Sequence, residues 1–311
     1  MELSLLLMEN ILSMALMVLM GFVATKKKIL KEADTSVLSA VCLYLVCPSV
    51  LLSSFQMELT ADKVQKLLLA FAGAIVVHIV YILVTWLLSK KAALKPVQYT
   101  SLIYSNAGNL ILPLVNAVLG PESVFYACAY MAVQTVLFWT HAILILGGKD
   151  RMNWKKIVLN PNMIAITVSL ILFFCRIRLP QIVTSALSSV GAMVGPISML
   201  IVGMIMASVD LKKVFSDAGS YLICFGRLIV YPLLMIVLLR VSNLAQVIPG
   251  AKDLFLITLL AAAAPSASSI VQAAKLYDRD SAGASVINVM SVVLCIITMP
   301  LMVYIYQLLI F

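Results

Sequence analysis

Apolar residues gather along this chain in ten blocks, at about 4–25, 35–55, 67–88, 97–119, 123–146, 157–175, 181–208, 219–241, 253–275 and 282–308, with charges collected in the short stretches between them. At 1.5 Å per residue, each block is long enough to cross about 30 Å of hydrocarbon as an α-helix. Lipid offers no partners to backbone N–H and C=O groups, so a spanning segment has to be helical. The pattern predicts an all-α integral membrane protein of ten transmembrane helices, with membrane lipid as its solvent and no soluble domain of its own.

Basic residues choose a side. Lys26, Lys27, Lys28 and Lys31 follow the first block; Lys90, Lys91 and Lys95 the third; Lys149, Arg151, Lys155 and Lys156 the fifth. Lys212 and Lys213 follow the seventh, Lys275 and Arg279 the ninth, so most of the 22 Lys and Arg lie in the odd-numbered loops. Lys and Arg accumulate in cytoplasmic loops, which predicts cytoplasmic odd loops, both termini extracytoplasmic, and a multi-pass protein of the plasma membrane, of bacterial inner-membrane type.

Composition agrees. The chain is 63% hydrophobic and 11% charged, with a mean hydropathy of +1.10, where a soluble domain is roughly 45–50% apolar and about 25% charged. The net charge of +9 is then topological, and nucleic acid is not an expected partner. The six cysteines lie in apolar segments without a C-x-x-C pair, which points to packing rather than disulfides or metal. In the first block the positive charges follow the apolar run, so it does not read as a cleavable signal peptide.

Ten spans divide into two fives, and because five is odd, related halves must be inverted. Prolines support a repeat: Pro48 and Pro196 interrupt spans 2 and 7, Pro113 and Pro265 interrupt spans 4 and 9, at offsets of 148 and 152 residues. The expected organisation is residues 1–146 as the first five-helix repeat, 147–156 as a short cytoplasmic linker, and 157–311 as the second. Spans 4 and 9 carry small and polar residues beside their prolines: Ser105-Asn106-Ala107-Gly108-Asn109 before Pro113, with Asn116 a turn later, and Ser266-Ala267-Ser268-Ser269 after Pro265, then Gln272. Corresponding broken helices in inverted halves point to a transporter's binding site. Half-helix N-termini carry unpaired N–H groups and partial positive charge. With the neutral donors of Asn106, Asn109, Ser266, Ser268, Ser269 and Gln272, they suit a carboxylate. Asn116 reads rather as interhelical glue.

Apart from Asp253 at the first position of span 9, spans 3, 4, 5, 9 and 10 contain no Asp or Glu where a proton relay would be expected. His78 and His141 read as packing residues, and Arg227 either snorkels or pairs. Uniport of an anion is the simplest mechanism, with sodium coupling through neutral oxygens left open. No catalytic constellation, P-loop or metal-ligand spacing is present, so no enzyme, cofactor or metal is expected.

Four stretches, in order, resemble the auxin efflux carrier family, which includes the plant auxin exporters and bacterial malate or malonate permeases. They are Ser105 to Pro113 with its Asn seven residues before the proline; Asn160-Pro161-Asn162 opening span 6; Gly195-Pro196 followed by Gly203; and Pro265 with Ala274-Lys275-Leu276-Tyr277 downstream. The resemblance implies a scaffold of spans 1, 2, 6 and 7 and a transport domain of spans 3–5 and 8–10 that moves as an elevator. It also implies that Asn106 contacts the substrate carboxylate and that Asn160 or Asn162 contributes. The short central linker, and Pro-Ser-Ala-Ser-Ser where plant proteins have Pro-Gln-Gly, fit a bacterial-type carboxylate permease better than an auxin carrier.

The resulting expectation is a secondary transporter for a small organic anion, with Asn106, Asn109, Pro113, Asn160, Asn162, Pro265, Ser266, Ser268, Ser269 and Gln272 at its site. The alternative is a membrane ligand sensor using the same pocket without flux. A homodimer would use Gly191-x-x-x-Gly195 for close helix approach.

Overall fold

The computed structural model describes residues 2–31, 33–148 and 154–311, so residues 149–153 of the expected linker lie outside the described residues. Among the described residues, seven helices are long and apolar enough to cross a membrane: α1 (Glu2–Lys26), α2 (Asp34–Ser54), α3 (Ala61–Lys91), α6 (Pro121–Gly147), α8 (Gln181–Ser208), α9 (Ala218–Ser242) and α12 (Ser281–Ile310). The other three expected spans are built differently. Span 4 is split into α4 (Pro96–Ile103) and α5 (Leu112–Leu119), and span 9 into α10 (Ala251–Ala263) and α11 (Ser268–Leu276). Span 6 is α7 (Pro161–Phe174), whose 14 residues reach only about 21 Å. Its start is set by Pro161 at the first helical position and its end by the turn through Cys175 and Arg176, the latter at φ 56°. Among the described residues there is no β-strand beyond one isolated bridge.

Proline shapes these helices through the turn that precedes it. Among the described residues, wide π-helical turns occupy Phe138–Ala142, which no proline follows, and three more segments, Cys42–Val46, Ala107–Ile111 and Gly226–Val230. Each of those three ends two residues before a proline: Pro48, Pro113 and Pro232. A proline clashes with the carbonyl four residues back and offers it no N–H; widening the turn relieves both problems without ending the helix. Pro48 and Pro113 therefore sit inside continuing helix.

This corrects the register of the two breaks. Span 4 leaves helical geometry at Tyr104–Asn106, well before Pro113, whereas span 9 is extended at Ala264–Ala267, around Pro265 itself. Pro113 instead lies in helix, directly after the wide Ala107–Ile111 turn that absorbs its clash. The residues that correspond structurally are Ser105 and Ser266, joined by an antiparallel bridge.

Close packing explains the glycines. A Cβ on Gly203 of α8 would lie 2.0 Å from the Val18 carbonyl oxygen, and one on Gly21 of α1 would lie 2.4 Å from that of Leu200. Those two helices touch backbone to backbone. Gly191 faces Val50 and Gly195 faces Pro113, at 3.0 and 3.1 Å by the same measure. The Gly191-x-x-x-Gly195 face expected to serve a dimer is thus used inside the chain, where it lets α8 approach α2 and α5. Cys175 is exposed at the end of α7, and the other five cysteines are buried as packing groups.

Candidate functional site

Two interrupted helices cross at the centre of the molecule. The extended residues Tyr104–Asn106 and Pro265–Ala267 run antiparallel, Asn106 N–H donating to Pro265 O at 2.8 Å and Ala267 N–H to Tyr104 O at 3.0 Å. Each break removes backbone groups from helical bonding, and buried groups of that kind need other partners. Here each break supplies some of the other's.

The remaining groups are met by side chains from the neighbouring spans. Gln134 of α6 lies alongside Ser105 as a third strand would: its Oε1 accepts from Ser105 N–H at 3.0 Å and from Ser105 Oγ at 2.8 Å, and its Nε2 donates to Ser105 O at 2.8 Å. On the far side, Ser266 N–H donates to Ser291 Oγ at 3.1 Å, and Asn288 Nδ2 donates to Ser266 O at 2.7 Å. Ser291 Oγ in turn donates to Asn288 O at 2.8 Å. One long amide on α6 thus does for Ser105 what two residues on α12 do for Ser266.

The four half-helix ends divide by charge. The C-terminal ends of α4 and α10, with negative partial charge, are held by Arg227 of α9. Its Nε donates to Ala264 O at 3.1 Å, and one terminal nitrogen donates to Leu102 O and Ile103 O, both at 3.3 Å. Arg227 is fully buried, and its other terminal nitrogen has no hydrogen-bond partner. The guanidinium carbon lies 6.0 Å from the centre of the Tyr81 ring. No carboxylate among the described residues lies within ion-pair distance of it. Beside it, Gly226 packs against the Leu102 side chain, whose Cδ2 a Cβ there would meet at 2.9 Å. With the negative ends neutralised, the N-terminal ends entering α5 and α11 keep their positive partial charge.

The expected site residues separate into groups. Asn106 is 5% exposed and opens the turn into α5 without capping it through its side chain. Ser266 is buried at the crossing, Ser268 and Ser269 are half-buried at the start of α11, and Gln272 is exposed. The side chain of Asn109 lies outside the described residues. Pro113 and Asn116 line a cavity of about 520 Å³ between α1, α2, α5 and α8, with Asn10, Ser13, Ser53 and Ser188 among its other polar walls. Asn160 and Asn162 are not brought to the crossing: α7 packs on α2 and α6. Asn160 Oδ1 accepts from the N–H groups of Asn162 and Met163 at 3.0 and 3.3 Å, the ordinary work of a helix N-cap.

Sequence reasoning passed over Gln134, Asn288 and Ser291. Their signal was present, as uncharged polar residues inside apolar spans 5 and 10. Both histidines make hydrogen bonds inside the bundle. His78 Nδ1 bonds Ala74 O at 2.7 Å and its ring lies 4.7 Å from that of Tyr130. His141 Nδ1 meets the Tyr104 hydroxyl at 2.8 Å.

A sequence profile described as membrane transport protein matches residues 6–151 and 149–303, nearly the whole chain. The chain belongs to this family, that of the auxin efflux carriers. A relative from Methanothermobacter thermautotrophicus (strain Delta H), described as an uncharacterized transporter, is 26% identical over 314 residues, covering 94% of this chain and 96% of its own. As a member of the family, the chain is a multi-pass membrane protein and a transporter.

Proposed function

We propose that this carrier moves a small organic anion, a carboxylate, across the plasma membrane by an elevator motion. The observation that carries the reading is the antiparallel crossing of two broken helices, whose negative ends are covered by Arg227 while their positive ends, beside Asn106, remain available. Bound anions are favoured at helix N-termini by the orphan N–H groups and the dipole together. In this reading the ten spans form two inverted five-helix repeats. Spans 1, 2, 6 and 7 are the fixed scaffold, spans 3–5 and 8–10 carry the site, and both termini are extracytoplasmic.

The neutral polar cavity beside Pro113 and Asn116 supports a path from one face to the crossing. Its about 520 Å³ is within the usual 300–1,000 Å³ of small-molecule sites. Its position between α5 and helices α1, α2 and α8 is where a sliding domain would part from a scaffold. Asn106→Ala in proteoliposomes should abolish carboxylate uptake while the protein stays monodisperse and folded. Full flux by that variant removes the crossing from the mechanism.

A further inference from the structure

The carbonyl ends of α4 and α10 make a ready cation site. Leu102 O, Ile103 O and Ala264 O converge from two helix C-termini in a buried place. Hard cations bind oxygens of this kind, and helix C-termini favour positive charge. In this chain the place is taken by a side chain. Arg227 is fully buried, donates to all three carbonyls, and has no carboxylate among the described residues to neutralise it. Its titratable neighbours are Tyr81 and His78 on α3, Tyr130 on α6, Tyr231 on α9 and Cys295 on α12, none of them a carboxylic acid.

A buried guanidinium without a counter-ion is expensive, and proteins keep such a group only where fixed dipoles replace its water. Two converging helix C-termini are such dipoles. The same argument read backwards says what the carbonyls need: without Arg227 they would be orphaned acceptors in a low-dielectric interior.

We propose that Arg227 is a tethered cation that fills the carbonyl site of the crossing permanently, so that the carrier binds and moves its anion without an alkali-metal companion. The inference rests on the transport reading for its flux consequence, but the cation site itself stands on geometry alone. Arg227 is therefore a positioning residue: it holds the two half-helix ends at one point and leaves the opposite, positive ends to the substrate.

Purified wild-type protein should show the same melting temperature when NaCl is replaced by choline chloride at constant ionic strength. Radiolabelled malate and malonate flux should change less than twofold in the same exchange. Arg227→Gln empties the carbonyl site, and should melt several degrees higher in NaCl than in choline chloride. Its flux should fall at least about tenfold in choline and recover in part with sodium. Arg227→Lys keeps a cation in place and should remain insensitive to the exchange.

A wild-type protein stabilised or activated by sodium overturns the proposal, as does a folded Gln variant indifferent to sodium. Should the Gln variant not fold, the wild-type and Lys exchanges decide alone. Absence of wild-type flux for any carboxylate refutes the transport reading instead, and leaves the melting experiments to judge the cation site.

Discussion

Replacing Gln134 with Leu isolates what holds the first break. Leucine keeps most of the volume and removes all three bonds to Ser105, orphaning its N–H and C=O together. Ser105 is 1% exposed, so water does not replace them. A buried polar group left unsatisfied costs about 1–3 kcal/mol, giving roughly 2–6 kcal/mol for two. Side-chain bonds between membrane helices average only about 0.6 kcal/mol, because freed groups find new partners. At Ser105 the neighbouring residues already bond across the crossing, so the backbone figure governs, and about 3 kcal/mol is expected. Ser105→Ala removes one hydroxyl bond and should cost about 0.5–1.5 kcal/mol. Equilibrium unfolding in mixed micelles measures both, and amide hydrogen exchange at Ser105 should quicken only in the Leu variant. A Gln134→Leu protein within 1 kcal/mol of wild type, with unchanged exchange, would refute the account of the break.

Three further outcomes follow from the packing and the caps. Gly203→Val puts a branched side chain where a single Cβ already lies 2.0 Å from Val18 O, and should prevent α1 and α8 from closing; size-exclusion profiles should show aggregation or loss of the folded peak. Asn160→Ala removes an N-cap and should cost about 1 kcal/mol while leaving the apparent Km for substrate unchanged; a raised Km would instead support substrate contact by this residue. Asp280, which caps α12 by accepting from Gly283 N–H and pairs with Lys95 at 3.2 Å, has its carboxyl held below the usual value, first by that backbone bond and then by the lysine. A depressed carboxyl contributes stability above the unfolded value of about 3.9 and loses it as pH falls through the lower folded value. Melting curves of Asp280→Asn should therefore fall below wild type at neutral pH and converge with it in acid.

The sequence alone determined the solvent, the helices and the places where two of them fail. Bilayer thickness and backbone satisfaction leave an apolar block little choice, so the long helices follow from composition. Small and polar residues beside Asn106 and Ser266 marked the breaks because nothing else explains them there. The sequence could not say which atoms would meet. Its matched prolines aligned Pro113 with Pro265, whereas the breaks align Ser105 with Ser266, because a widened turn absorbs Pro113 but extended chain surrounds Pro265. The sequence did not show that the Asn160 side-chain oxygen caps α7, or that Gly191 and Gly195 seat Val50 and Pro113. Arg227 left snorkelling and pairing open, and among the described residues the structure shows neither: its guanidinium is buried where two helix ends converge on it. A lone charge in an apolar span is judged by its surroundings, and here those come from Leu102 and Ile103, more than a hundred positions away in the chain, and from Ala264, 37 positions away.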